Sequence, residues 1–221
     1  MKNSKRKIII IIAVCIVALL SAAAVYLIMN NELKKMNPLD TGEIIPGIFA
    51  LRNDYSNIFL IKGTDGYIAI DAGTSESLTE NGLNQLGISI DSISAVLLTH
   101  SHTDHIGALK VFENAEVYAV KPKLADILIS DGDIFEIDGI QIQVISTPGH
   151  ADDSVCFLLD GKYLFAGDNL SLNDNAVGLF NSIFNKSDAQ QMADIQMLSA
   201  LNMIEYIFTA HYGYTNNALF P

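Results

Sequence analysis

A chain of 221 residues, half of them apolar and only 17% charged, has room for one well-packed domain and is not a disordered, collagen-like or coiled-coil protein. It carries 13 Lys and Arg against 25 Asp and Glu, and four of the basic residues (Lys2, Lys5, Arg6, Lys7) fall in the first seven positions. The remainder holds nine basic groups against 25 acidic ones, a formal net of −16 that repels polyanions and argues against a nucleic-acid partner.

In chain order, residues 1–7 form a basic leader, and Ile8 to Met29 form a run of 22 residues without a charge, enough helix to cross a hydrocarbon core of ~30 Å. The small residues Ala22, Ala23 and Ala24 resemble a signal-peptide cleavage site, but the apolar run continues through Val25 to Met29, so an uncleaved anchor is the expectation. Basic residues ahead of the span put the amino-terminus in the cytoplasm and the rest of the chain outside it, with secretion after signal cleavage as the alternative. Residues 30–46 then read as a polar linker, and 47–221 as the folded domain. Cys15 falls in the apolar run and Cys156 far from it, so two cysteines build no disulfide framework.

Beyond the linker, GIFALR, NIFLIKG and GYIAIDAG read as three strands, and Ser75 to Gly87 as a helix-permissive stretch. AVLLTH follows as a buried strand, then a short helix over Asp104 to about Phe112, then the strand EVYAV. Asp138-Gly139 and Asp160-Gly161 each separate two strand-like runs and predict two hairpins. Ser187 with Gln190 reads as a capping box for a helix to about Leu201, and EYIFTAH as a last strand. Strands interleaved with single helices predict an α+β fold of two sheets with helices outside them.

The chemistry sits where these strands end. All five histidines (His100, His102, His105, His150, His211) lie at predicted strand ends or in the loops beyond, joined by Asp104 and by Asp168 at the end of KYLFAGD. Two-residue spacing along a strand would turn His100 and His102 to one side. Seven imidazole and carboxylate groups over-supply one tetrahedral ion and suit two. No GxSxG elbow or phosphate-binding loop offers a rival nucleophile.

HSHTDHIGA, TPGH at 147–150, SVCFLLDGKYLFAGDNL and TAHYGYT around His211 together resemble the metallo-β-lactamase superfamily, over roughly 47–211. The resemblance implies an αββα sandwich with two divalent ions at its edge, zinc foremost and iron or manganese as alternatives. It implies that His100, His102 and His150 hold the first ion, Asp104, His105 and His211 the second, and Asp168 bridges them. Asp71 of IDAG matches an acid that orients a ligand histidine, and Asp104 doubles as the catalytic group that orients the ion-bound hydroxide and takes its proton. An aspartate bridge, where many zinc β-lactamases have cysteine or serine, leans toward glyoxalase II-like and lactonase-like relatives. The ten residues after His211 omit the helical extension with which glyoxalase II binds glutathione. The expected activity is hydrolysis of a small ester, thioester or lactone. Alternatives are a β-lactam or phosphodiester hydrolase of the same superfamily and a non-catalytic metal-dependent binding or sensing domain. The expected partners are a small-molecule substrate and, through the helix, a membrane; the oligomeric state is not legible. Asn169, Asn173, Asn181 and Tyr212 read first as loop residues, with substrate contact second, and Phe180, Phe184 and Tyr214 as packing rather than pocket lining.

Overall fold

The structure, a computed structural model, describes residues 2–201 and 203–221, and gives residues 2–6, 8 and 9 by their backbone alone. The side chains of Lys2, Lys5 and Arg6 of the basic leader thus lie outside the described residues. The chain divides into two compact units, one ending at Met36 and the other Asn37–Pro221.

The first unit is a single helix, α1 (Lys2–Leu33), which continues past Met29 by another turn. Within it Ile10–Leu33, 24 residues, is long and apolar enough to cross a membrane. Its large side chains point outward along its length, Leu19 at 71% exposure and Tyr26 at 66%, which an aqueous surface does not explain.

The second unit begins with β1 (Gly42–Ile45), a short strand inside the stretch read as linker. It pairs with β2 (Ile48–Asn53), which continues antiparallel through β3 (Ser56–Lys62) to β4 (Tyr67–Ile70). Three parallel neighbours complete this seven-stranded sheet: β5 (Ile93–Leu97), β6 (Glu116–Ala119) and the two-residue β7 (Ile127–Leu128). The crossover from β4 to β5 is α2 (Glu76–Leu86), with Ser75 as its N-cap and Gly87, at φ +69°, as its C-cap. The second sheet holds β8 (Ile134–Ile137), β9 (Ile140–Ser146), β10 (Val155–Leu159) and β11 (Tyr163–Phe165). Both predicted Asp-Gly turns are present with positive φ at each residue, the twist-matched geometry of two-residue hairpins.

A small separate hairpin, β12 (Ser171–Asn173) with β13 (Ala176–Gly178), precedes α4 (Asp188–Ser199). The chain then returns to the second sheet as β14 (Tyr206–Thr209), parallel to β11, and β15 (Gly213–Thr215). The Ser187 hydroxyl caps α4 by accepting from the Gln190 amide at 3.2 Å, but Gln190 does not return the bond. Its side chain instead donates to Asp194 at 2.8 Å, so only half of the capping box forms.

The two sheets bury one core between them, where the Phe59 ring meets Phe165 and Phe208 edge-on at 5.4 and 5.5 Å. A second cluster joins the outer face of the first sheet to Leu83 of α2, and a third joins the outer face of the second sheet to Ile195 and Leu198 of α4. The order of layers is therefore helix, sheet, sheet, helix, the αββα sandwich.

The helix predicted over Asp104 to Phe112 is two pieces, α3 (Thr103–Ile106) and a 3-10 turn over Leu109–Phe112. The Ala108 amide bonds to the Gly73 carbonyl at 3.0 Å rather than to its own helix, which breaks the run at the point where the histidines are presented.

Candidate metal centre

The strand β5 ends at Leu97, and the chain leaves the sheet before the first histidine. The extended-strand placement of His100 and His102 thus does not occur. Instead Thr99 carries the chain across the sandwich: its carbonyl accepts from the Val155 amide of the second sheet at 2.9 Å, while its own amide donates to Asp71 Oδ1 at 2.8 Å. His100 follows, and His102 is the N-cap of α3, whose first turn turns Asp104 and His105 inward. The rings of His100 and His102 come within 4.5 Å by this loop geometry rather than by strand periodicity. His150 closes the turn after β9, Asp168 the turn after β11, and His211 the turn after β14.

All seven predicted groups converge, in two sets that share Asp168. His100, His102, His150 and Asp168 offer donor atoms within 4.8 Å of one another, and so do Asp104, His105, His211 and Asp168. Each carboxylate oxygen of Asp168 faces one set. Oδ2 lies 3.4 Å from His150 Nε2 and 3.9 Å from His100 Nε2, and Oδ1 lies 3.3 Å from His105 Nε2 and 3.1 Å from His211 Nε2. The first set closes with His150 Nε2 at 3.0 Å from His102 Nδ1, the second with Asp104 Oδ2 at 3.3 Å from His211 Nε2. Donors about 2.0 to 2.2 Å from one tetrahedral ion stand roughly 3.3 to 3.6 Å apart, so the spacing is that of ligands around a common centre.

Five of the seven are buried, with His102 and Asp104 at the more open side. The buried Nε2 atoms of His100, His105 and His211, and Oδ1 of Asp168, have no hydrogen-bond partner among the described residues. Polar atoms at this depth ordinarily find one, and four orphans aimed at one another fit a centre that takes lone pairs rather than hydrogens. A divalent ion fits each set on that ground.

The opposite ring nitrogens of His100, His105, His150 and His211 are engaged. His105 Nδ1 meets Asp71 Oδ2 at 2.8 Å, His211 Nδ1 donates to the Tyr55 carbonyl at 2.6 Å, and His150 Nδ1 meets Asn185 Oδ1 at 3.1 Å. His100 Nδ1 stands 3.2 Å from the Thr99 hydroxyl. Partners of this kind fix the ring and the tautomer of a metal ligand. Asp71 takes its place through a left-handed backbone, φ +62°, with both oxygens on the Thr99 hydroxyl at 2.9 and 3.0 Å.

The carboxylates and imidazoles of the two sets shift one another's ionisation. Burial opposes ionisation of Asp168, yet the charges of His211 and His105 outweigh it and hold the carboxyl well below the usual range. Burial likewise disfavours a charged His211, but Asp168 and Asp104 push its pKa up to about 9. His105 rises well above the ordinary imidazole value against its own burial, through Asp168 and Asp71. His100, buried and beside His105, is pushed well below that value.

Of the residues read first as loop or packing, Asn169 is buried under the Asp168 turn, where its amide donates to the Ala166 carbonyl at 3.0 Å, and Asn173 ends β12 at the surface. Phe180 is buried with its ring 5.0 Å from His150 and 5.6 Å from His211, walling both sets, and Tyr212 meets it edge-on at 5.8 Å. The Asn181 side-chain oxygen accepts from the Ile183 amide at 3.0 Å, and Tyr214 stacks on Phe208. Phe184 does line an open pocket of about 400 Å³ beside His102 and His150, together with Lys121 and Lys186. Tyr55, Thr99, Asn185 and Gln191, which position the ligands, carry no sequence signal of their own.

The comparisons agree with this geometry. The family model described as the metallo-beta-lactamase superfamily matches residues 51–122, the segment that carries His100 to His105. An atrochrysone carboxyl ACP thioesterase of Claviceps purpurea is 32% identical over 150 residues, 59% of this chain and 47% of that protein. A lactamase-like protein of Aspergillus niger is 39% identical over 133 residues, 57% and 41% of the two chains. The chain spans about half the length of the curated relatives it matches. Among solved structures, a metallo-beta-lactamase family protein of Thermus thermophilus matches with TM-score 0.62 at 23% identity, over 79% of this chain and 76% of that one. BJP-1, a subclass B3 metallo-beta-lactamase of Bradyrhizobium japonicum, matches with TM-score 0.62 at 20% identity, over 80% and 79%. The sequence match over residues 51–122, the shared αββα sandwich and the paired donor sets make this chain similar to the metallo-β-lactamase superfamily, with the fold of its solved members.

Proposed function

We propose that the protein is a membrane-anchored hydrolase of small thioesters, esters or lactones, with thioesters foremost, working through two divalent ions. The observation that carries this reading is the pair of donor sets joined through the two oxygens of one buried carboxylate, Asp168. In this reading His100, His102 and His150 hold one ion, Asp104, His105 and His211 the other, and Asp168 lies between; an imidazole and carboxylate donor set favours zinc, with iron or manganese as alternatives. Ions held there would supply a Lewis acid for the substrate carbonyl and bring a bound water's pKa toward neutrality.

The chain's own residues do the rest. Asp104, on the more open side, is the carboxylate that receives the proton as water attacks. Asp71 and the Tyr55 carbonyl keep His105 and His211 turned inward. Phe180 walls the centre against solvent, and the pocket beside His102 and His150 takes the substrate, with Phe184 against its apolar part.

The thioesterase name of the Claviceps purpurea relative favours a thioester within this class. The deficit of basic groups outside the leader speaks against a polyanion such as nucleic acid. The helix α1 anchors the protein with its amino-terminus in the cytoplasm and the hydrolase on the other side of the membrane.

The test is the full chain, purified in detergent and loaded with zinc, assayed against an S-acyl N-acetylcysteamine thioester, an aryl ester, a γ-lactone, a cephalosporin and a phosphodiester. The expected order puts a carboxylic substrate first, with Asp104→Asn lowering its kcat by about a hundredfold or more. A cephalosporin or phosphodiester cleaved far faster than any of the others rejects the substrate assignment.

A further inference from the structure

The helix α4 lies outside the second sheet, yet two of its residues reach the backbone of the turns that carry His150 and Asp168. Gln191 is fully buried, and two backbone groups fix which way its amide points. Its Oε1 accepts from the Phe180 N–H at 2.8 Å and its Nε2 donates to the Asp168 carbonyl at 3.1 Å. Neither backbone group can exchange its role, so the orientation is determined.

From there the assignment propagates. Gln191 Oε1 also faces Asn185 Nδ2 at 2.8 Å, and Gln191 Nε2 faces Asn185 Oδ1 at 3.2 Å. Asn185 Nδ2 is ringed by further acceptors, the Phe180 carbonyl at 3.0 Å and Asp188 Oδ1 at 2.8 Å. A flipped amide would set oxygen against oxygen at all three contacts. Asn185 Oδ1 is thereby turned to His150 Nδ1 at 3.1 Å, and an oxygen there requires that nitrogen to carry the proton. The lone pair is then on Nε2, the atom that stands among His102 Nδ1 and Asp168 Oδ2.

The same helix grips the turn that bears His150. Asp194 accepts from the Gly149 amide at 2.8 Å, and a Cβ on Gly149 would lie 2.3 Å from the backbone of Gln191. The second donor set has separate supports, Asp71 and the Tyr55 carbonyl, from the opposite sheet.

We propose that Asn185, with its amide aimed by Gln191, is a positioning residue that fixes His150 with its proton on Nδ1 and its Nε2 toward the first donor set, a hold that the histidines of the second set do not share. The proposal rests on the metal-holding reading of the two sets and is independent of the substrate.

The experiment uses the full chain in detergent, labelled with ¹⁵N-histidine, alongside Asn185→Leu and Asn185→Asp. Both variants lose the amide donors, but only Asn185→Asp keeps an acceptor facing His150. Long-range ¹H–¹⁵N spectra of the zinc-loaded wild type should show His150 protonated on Nδ1, and Asn185→Asp should retain that signal. In competition titrations with zinc, Asn185→Leu should lower affinity at one position about 10- to 100-fold and leave the other unchanged. A His150 proton on Nε2 in the wild type overturns the proposal by itself, even if Asn185→Leu fails to fold. Losses shared by both positions in Asn185→Leu overturn it as well. A wild type that takes up only one zinc overturns the two-ion reading and this proposal together, a result distinguishable from a mere tautomer error.

Discussion

Asp168 is the residue on which the two donor sets depend, since each of its oxygens faces a different one. Its replacement by alanine should reduce zinc bound at saturation from two ions per chain to one or none, as elemental analysis of the desalted protein would show; two ions retained would exclude a bridging role. The pH dependence follows from His211, whose pKa of about 9 without an ion stands above the ordinary 6.5. A raised pKa stabilises the fold fully below the ordinary value and progressively less as pH rises to about 9. The ion-free protein should therefore melt at falling temperature between pH 6.5 and 9. Zinc uptake needs the neutral ring, so it should strengthen across that same interval and release protons. Differential scanning calorimetry of chelator-treated and zinc-loaded protein checks both signs, and parallel pH profiles for the two forms would contradict them. The seven converging groups were legible because strand-end histidines and aspartates at these spacings have few other uses. Their supports were not: Tyr55 acts through a carbonyl that every residue possesses, and Gln191 through burial that only the finished fold supplies.

At the scale of elements, the pattern-bearing strands could be read and the short ones could not. Alternation in Ile140, Ile142 and Val144 and the Asp-Gly turns gave the hairpins of the second sheet before any geometry was known. β1, β7, β12, β13 and β15 are two to four residues each, too short for periodicity, and exist because a neighbouring strand holds them. The break between α3 and the turn after it has the same origin, a hydrogen bond from Ala108 to a distant loop that outcompetes the helical one. Contact between α4 and the His150 turn is the element-scale feature with the sharpest consequence. Because the atoms facing Gly149 are backbone atoms of Gln191, no rotamer can make room for a methyl group. Gly149→Ala should cost about 1 to 3 kcal/mol of stability, the usual range for overpacking, and weaken zinc binding at the first set. Urea denaturation with and without zinc measures both, and a variant as stable as wild type would show that the helix can withdraw without consequence.

The whole molecule joins two physically opposed surfaces in one chain. Its second unit is acidic, with both donor sets in a sandwich whose core lies between the sheets, while α1 exposes isoleucine, leucine and valine along Ile10–Leu33. Burying that exposed apolar surface in lipid gains roughly 25 cal/mol per Å², and a helix of this length satisfies its own backbone within the hydrocarbon. The full chain should accordingly remain in the membrane fraction after an alkaline carbonate wash. A chain begun at Asn37, which retains the whole second unit, should move to the supernatant. The proposed sidedness rests on charge: Lys7 and the other leader cations precede the span, whereas Lys34 and Lys35 after it are offset by Glu32, with Lys35 paired to that carboxylate at 2.7 Å. Protease added to intact cells should therefore digest the second unit and spare a fragment containing the helix. Protection of the hydrolase until the cells are lysed would reverse the orientation, and a carbonate-soluble protein with its amino-terminus near Ala24 would identify the helix as a cleaved signal.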